Sequence, residues 1–148
     1  MIQRNQGFTL LELMVVVSII AILALVALPN FYQQIKQDRL VTNANQLHSV
    51  YKYARAEAVK REKPILLKVE SGKWQVKTTI APIEVLAEFN STHSSVSVTG
   101  LEDLTISQYG STLAKQFTVR DGDSTTQDYL LCTYVSGQSM LSKDAACP

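Results

Sequence analysis

One carboxylate stands inside a long apolar run near the start of the chain. Glu12 lies in a segment from Phe8 to Leu28 whose other polar side chains are Thr9 and Ser18. A charge within a membrane helix costs on the order of 2.5–3.5 kcal/mol on insertion scales, and such charges usually have a function. We therefore expect Glu12 to have a specific partner.

The apolar run is long enough to cross a bilayer, since about 20 helical residues span the hydrocarbon core. A short polar leader, Met1 to Gly7, precedes it and carries one positive charge, Arg4. An ordinary signal peptide has a shorter apolar core and a small-residue cleavage site after it. This run ends at Leu28-Pro29-Asn30 without such a site. A plain single-pass anchor fits the length but gives no reason for Glu12.

The junction resembles the signature of type IV pilins, minor pilins and the pseudopilins of type II secretion, carried by Gly7-Phe8-Thr9-Leu10-Leu11-Glu12-Leu13. The resemblance implies that a prepilin peptidase cuts after Gly7 and methylates the new amine of Phe8. It also implies that Glu12 contacts the N-terminal amine of a neighbouring subunit, which would fix the axial register of a filament. The chain would then lie in a bacterial inner membrane with a periplasmic head, and later in a pilus or pseudopilus, near its tip.

These features divide the 148 residues into a cleaved leader (1–7), a hydrophobic transmembrane and filament-core helix (8–29) and a globular head (30–148). The head has roughly 120 residues, enough for one modest core. The formal net charge of +1 neither favours nor excludes a polyanionic partner.

The chain has two cysteines, Cys132 and Cys147, and both are near the C-terminus. An exported chain meets an oxidising compartment, which favours a disulfide between them. Free or metal-bound thiols are the alternative, although two cysteines without histidine neighbours make a poor zinc site.

The helix is predicted to continue beyond the membrane, with a kink at Pro29. Apolar residues then recur at helical spacing, at Ile35, Leu40, Ala44, Leu47, Tyr51, Ala54 and Ala58. This pattern is typical of an amphipathic helix with one apolar face. The helix should end near Glu62, because Pro64 disfavours helical conformation in Lys63.

After Pro64 the apolar pattern changes to the alternation of β-strands. Ser71-Gly72 indicates a hairpin turn, and the interval from Ala81 to Asn90 is ambiguous between a strand and a turn. The predicted strands are 65–69, 74–80, 95–99, 104–108, 116–120 and 128–135. A helix followed by short antiparallel strands predicts an α+β fold.

Two stretches of the head resemble the GspH/FimT/FimU group of minor pilins and pseudopilins. They are Arg55–Arg61, at the end of the helix, and Tyr129–Leu141, where a late strand meets the turn Ser136-Gly137 and the group has a Ser-x-Gly-Arg-like turn. The resemblance implies a head with two β-sheets packed against the C-terminal half of the helix. The group often carries an arginine after the turn glycine, and this chain has Gln138 there.

We find no pattern typical of an enzyme, a cofactor or a metal site. His48 and His93 lack the neighbours that a metal site needs. The Gly-x-Ser at Gly137 lacks the second glycine of a nucleophile elbow. Asp121-Gly122-Asp123 lacks the spacing and the closing glutamate of a calcium loop.

Three functions fit the sequence. The first is a minor pilin that primes or caps pilus assembly with other minor and major pilins. The second is a DNA-binding minor pilin for natural transformation, which requires several cations on one exposed face. The candidate cations for double-stranded DNA are Arg55, Lys60, Arg61, Lys63 and Lys143. The third is a minor pseudopilin of type II protein secretion.

Overall fold

We describe residues 8–143, 146 and 147 of a computed structural model of the chain. Two compact units are present, Met1–Ile35 and Lys36–Pro148. One helix, α1 (Leu10–Arg61), contributes to both, and Pro29 lies inside it. The helix continues through Pro29, and the kink expected there stays a prediction. The leader and Gly7 lie outside the described residues.

The first unit contains the apolar half of α1, and its large apolar side chains are exposed, among them Leu13, Ile20 and Leu25. By length and composition α1 is able to cross a membrane. The boundaries 1–7, 8–29 and 30–148 remain predictions.

The second unit, which we call the head, contains one helix segment and two antiparallel sheets. Its described residues form the strands β1 (Ile65–Glu70), β2 (Lys73–Thr78), β3 (Val85–Glu88), β4 (Ser97–Thr99), β5 (Leu104–Ile106), β6 (Lys115–Arg120), β7 (Tyr129–Thr133) and β8 (Ser139–Ser142). The strand orders are β3-β2-β1-β5 and β4-β6-β7-β8. The α+β fold with two sheets is confirmed.

The core of the head lies between the helix and the sheets. On α1 the fully buried residues recur at three or four positions, at Leu40, Ala44, Leu47, Tyr51, Ala54 and Ala58. They pack with large side chains of both sheets, and Trp74 of β2 meets Phe117 of β6 edge to face at 4.6 Å between ring centroids. The predicted helical spacing fills this core except at Ile35, which is only partly buried and belongs to the first unit.

The first turns of α1 in the head are tied to the β6–β7 loop. Lys36 Nζ donates to Asp123 Oδ2 at 2.5 Å, and Gln37 exchanges two hydrogen bonds with the backbone of Gln127. The hydrogen bond from Lys36 holds the pKa of Asp123 well below its usual range. These contacts attach the loop to the helix at the residue where the compact unit begins.

Several strands are shorter than predicted, because residues predicted at their ends belong to turns. β2 stops at Thr78, whose amide donates to Glu84 O. β5 stops at Ile106, since Ser107 opens a turn closed by Gly110 N donating to Ser107 O. β7 covers only Tyr129–Thr133, and the ambiguous interval contains the short strand β3.

Candidate functional site

The start of α1 is closed by a reciprocal capping arrangement. Thr9 N and Thr9 Oγ1 donate to Glu12 Oε2 at 2.9 and 3.1 Å, and Glu12 N donates to Thr9 Oγ1 at 3.2 Å. Thr9 is the residue before the helix and Glu12 is its third residue, which is the spacing of a capping box. Sequence reasoning missed this contact, although the pattern Thr-x-x-Glu could have revealed it.

The capping box does not depend on the residues before Phe8. Thr9 keeps its backbone N–H if the chain begins at Phe8, so the hydrogen bonds to Glu12 persist after such a cut. A carboxylate has about four lone-pair sites and accepts further donors while holding these. Within one subunit Glu12 therefore has two neutral donors from Thr9, and its carboxylate is still able to accept an ammonium group.

A second constellation joins the helix to two turns of the head. Tyr51 Oη donates to Gly137 O at 2.9 Å, and Arg55 Nε donates to Gly110 O at 3.1 Å. Tyr51 and Arg55 are one helical turn apart on α1 and so lie on the same face. Burial raises the pKa of Tyr51 to about 12, so its hydroxyl stays a donor. We call these four residues the two-turn clamp.

The two turns of the clamp touch through glycine. Both glycines have positive φ, +80° at Gly110 and +77° at Gly137, and a Cβ at Gly137 would lie 1.6 Å from Gly110 O. No side chain fits in that space. The turn after β5 and the turn between β7 and β8 are thereby held against each other and against α1, and Thr112 N donates to Val135 O nearby.

The cations predicted as DNA contacts are distributed over different surroundings. Lys60 and Arg61 both pair with Glu57, at 3.4 and 2.6 Å. Glu57 is 7% exposed, and the hydrogen bond from Arg61 lowers its pKa. Sequence reasoning missed Glu57, whose i, i+3 and i, i+4 spacing to these cations was the available signal.

Of the remaining candidate cations, Lys63 lies near that pair, whereas Arg55 and Lys143 have other contacts. Arg55 belongs to the two-turn clamp, and Lys63 lines a shallow hollow that Arg61 also lines. Lys143 lies over the Tyr129 ring, 5.4 Å from its centroid, near the end of β8. The five candidates therefore have different surroundings, and Lys60 and Arg61 share a carboxylate partner.

The predicted disulfide is confirmed. Cys132 of β7 is bonded to Cys147, with 5.7 Å between the Cα atoms, and Cys147 N donates to Gln116 Oε1 of β6. The bond and this contact hold Cys147 against the second sheet. Among the described residues, no group of His, Cys, Asp and Glu has the arrangement of a metal site.

The helix, the capped N-terminus and the two-sheet head define a pilin-type subunit, and comparisons with known proteins agree. The model of the prokaryotic N-terminal methylation motif matches residues 2–28. The model of the type II transport protein GspH matches residues 43–138, more than half of the chain. The chain belongs to this GspH family and is a minor pilin or pseudopilin of the type IV pilin class.

One curated relative shares part of the sequence. The type IV major pilin protein PilA of Myxococcus xanthus is 50% identical over 52 residues, which are 33% of this chain. The match spans 24% of that relative's length. The methylation motif and the apolar half of α1 are those of a membrane-anchored pilin subunit.

Solved structures share the fold. Two crystal structures of the type IV minor pilin FimU of Pseudomonas aeruginosa match with TM-scores of 0.60 and 0.53 at 17% and 18% identity. The matches cover 72% and 70% of this chain and 90% and 92% of those chains. At that identity the likeness concerns the fold alone.

Proposed function

We propose that this chain is a minor pilin of a type IV pilus, cut after Gly7 and methylated at Phe8, which helps to prime or cap pilus assembly. The observation that carries the proposal is the position of Glu12, capped by Thr9 at the first turn of an exposed apolar helix. Both the named relative and the named structures are type IV pilus proteins.

Glu12 supplies a register signal in this proposal. The capping box presents the carboxylate at the first turn of the helix, where an incoming N-terminal amine can reach it. A carboxylate buried among packed apolar helices without its partner costs several kcal/mol. Only an axial stagger that places a neighbour's Phe8 amine beside Glu12 satisfies both charges, so the pair would select one arrangement of subunits.

The test is Glu12→Ala, with Ser18→Ala as the matched control. Ser18 is another polar residue of the apolar run and bonds only its own helix, donating to Met14 O. We expect Glu12→Ala to insert and be cleaved normally while its incorporation into pili falls about a hundredfold, the effect of removing one partner of a buried ion pair. Ser18→Ala should assemble normally. Normal incorporation of Glu12→Ala would contradict the proposal.

A second candidate function, the pseudopilin of type II secretion, is supported by the GspH family match. Deletion of the gene separates the two machines, since the proposal expects loss of pili with secretion intact. The DNA-receptor alternative has weaker support, because Glu57 pairs with two of its candidate cations. Binding of duplex DNA to the protein that weakens steeply with salt would favour it.

A further inference from the structure

A groove runs along the outer side of α1 next to the β7–β8 hairpin. We call it the α1–β8 groove. Four helix residues form one wall, Lys52, Arg55, Ala56 and Val59. Tyr134 and Met140 of the hairpin form much of the other wall, and Tyr134 Oη donates to Met140 Sδ at 3.1 Å. All of these residues belong to the head.

The charge of this groove has one sign. Lys52 and Arg55 are the cations among its described lining residues, and none of that lining is a carboxylate. The two turns beside it, residues 107–111 and 134–138, contain no charged residue. A partner that brings a carboxylate between the two cations would meet complementary charge and no like charge there.

The groove has a polar end and an apolar end. Beyond Val59 it adjoins a hollow lined by Gln108, Tyr109 and Glu62. Val59 is 49% exposed and Tyr109 is 81% exposed, so a partner's apolar side chains can contact apolar surface at this end. Glu62 would repel a carboxylate placed here, which sets the direction in which an acidic segment lies.

The wall formed by the hairpin is held in place before any partner arrives. The two-turn clamp fixes the turn at Gly137 to α1 through Tyr51, and it fixes the adjoining turn through Arg55. A pre-formed surface loses less conformational entropy on binding than a mobile one. Met140, with its flexible thioether, adapts to the shape of a partner side chain.

We infer that the α1–β8 groove receives a segment of another pilin subunit that carries a carboxylate followed by apolar side chains. The carboxylate lies between Lys52 and Arg55, and the apolar side chains lie toward Val59 and Tyr109. This inference rests on the proposed function insofar as the partner is an assembling pilin. A nucleic acid fits less well, because its affinity comes from many phosphate contacts and the groove offers two cations.

The test places a photoreactive benzoylphenylalanine at Ala56, in the helix wall of the groove, in the full-length protein in its source bacterium. Ser94, an exposed residue of the β3–β4 loop, is the control position. We expect the probe at position 56 to crosslink to another pilin, at a segment that contains Asp or Glu. The probe at position 94 should not crosslink to that segment. Crosslinks to nucleic acid alone, to a segment without a carboxylate, or to no protein would overturn the inference.

Charge variants test the same contact without a bulky probe at Ala56. With the photoreactive residue at Tyr109 instead, Lys52→Glu should lower the yield of the same crosslink about tenfold, because it juxtaposes like charges. Lys52→Arg should retain it, and reversing the partner's carboxylate to Lys should restore it in Lys52→Glu. An unchanged yield in Lys52→Glu would contradict the inference.

The outcome is separable from that of the proposed function. If the gene is required for secretion and pili persist without it, the pilus assignment fails. A crosslink from Ala56 to an acidic segment of a pseudopilin would in that case still support the groove as the docking surface. If pili require the gene and the crosslink is absent, the groove inference alone fails.

Discussion

At the scale of single residues, the head depends on positions where only one residue type is sterically possible. Gly137 is buried, has a φ of +77°, and leaves no room for a Cβ against Gly110. The cost of a side chain there has two parts, the backbone conformation and the clash. The chain contains glycines that separate these two parts.

We predict that Gly137→Ala destabilises the head by about 3 kcal/mol or more, because the clash displaces a turn in addition to the roughly 1–2 kcal/mol for a side chain at positive φ. Gly122→Ala is the matched control, since Gly122 has a φ of +76° and nothing within 4 Å of an added Cβ. Gly122→Ala should lose only the roughly 1–2 kcal/mol that a side chain at positive φ costs. Equilibrium unfolding in urea measures both, and equal losses would contradict the steric account.

His48 gives the head a dependence on pH. Its ring nitrogen lies 2.9 Å from Ser139 Oγ, and burial, with the nearby charge of Lys52, lowers its pKa. A lowered pKa means that the unfolded chain binds the proton more readily than the folded one. Stability is therefore lost as pH falls through the ordinary histidine range near 6.5 and levels off below the folded pKa.

We accordingly predict that the free energy of unfolding is larger at pH 7.5 than at pH 5.5, a window above the ordinary range of carboxylates. In His48→Gln, which keeps a polar group near Ser139, the difference between the free energies of unfolding at pH 7.5 and pH 5.5 should be smaller. Urea unfolding at both pH values measures it. The same pH difference in wild type and variant would exclude His48 as its source.

At the scale of elements, the end of α1 shows how local chemistry sets a boundary. Lys63 N donates to Ala58 O and Glu62 N donates to Val59 O, which together form a Schellman motif. Glu62 occupies the left-handed position with a φ of 53°, where glycine is the usual residue. Pro64 follows and prevents the helix from continuing.

We predict that Glu62→Gly stabilises the head by about 1 kcal/mol, because glycine removes the steric cost of the left-handed conformation. Glu62→Ala keeps that cost and is the control for loss of the side chain. The measurement is the midpoint and slope of urea unfolding. A lower stability of Glu62→Gly than of Glu62→Ala would show that the conformational account is wrong.

Hairpins follow the same local logic. Ser71 and Gly72 both have positive φ, as a two-residue turn of type I′ requires, and they connect Glu70 directly to Lys73 in the ladder. The Ser-Gly pair predicted this turn. By contrast, the pairing of β1 with β5 joins residues far apart in the chain, and no local pattern specifies it.

At the scale of the whole molecule, the disulfide links Cys147 to β7 of the second sheet. Cys132 and Cys147 are 15 residues apart, and a loop of that length is worth about 3 kcal/mol in the chain-entropy model. Leu130 and Cys132 are buried although both lie on the face of β7 that points away from the core residue Leu131. That face of β7 is therefore covered as well.

We predict that Cys147→Ser lowers the free energy of unfolding by about 3 kcal/mol under non-reducing conditions. Wild-type protein in excess reductant should approach the variant, and the variant itself should not respond to reductant. An unchanged unfolding midpoint of the variant, with the wild type still oxidised, would contradict the prediction.

The sequence alone determined the parts of this protein that depend on neighbouring residues. The apolar run from Phe8 to Leu28, the helical spacing of Leu40 to Ala58, the stop before Pro64 and the Ser71-Gly72 turn are all local patterns. The Thr9–Glu12 pair is also a local pattern. Its Thr-x-x-Glu spacing is present in the sequence, although we assigned Glu12 only to a contact with a neighbouring subunit. Local steric and hydrogen-bonding rules suffice for such features, because their partners are a few residues apart.

Only the tertiary structure decided the strand orders, the partners of the cations and the α1–β8 groove. Arg55 bonds Gly110, 55 residues away, and Tyr51 bonds Gly137, 86 residues away. Sequence periodicity shows which side chains are buried, but many pairings of short strands bury the same residues. Steric fit at contacts such as Gly110 against Gly137 favours one strand pairing over the others. In that pairing Lys52 and Arg55 lie beside Tyr134 and Met140.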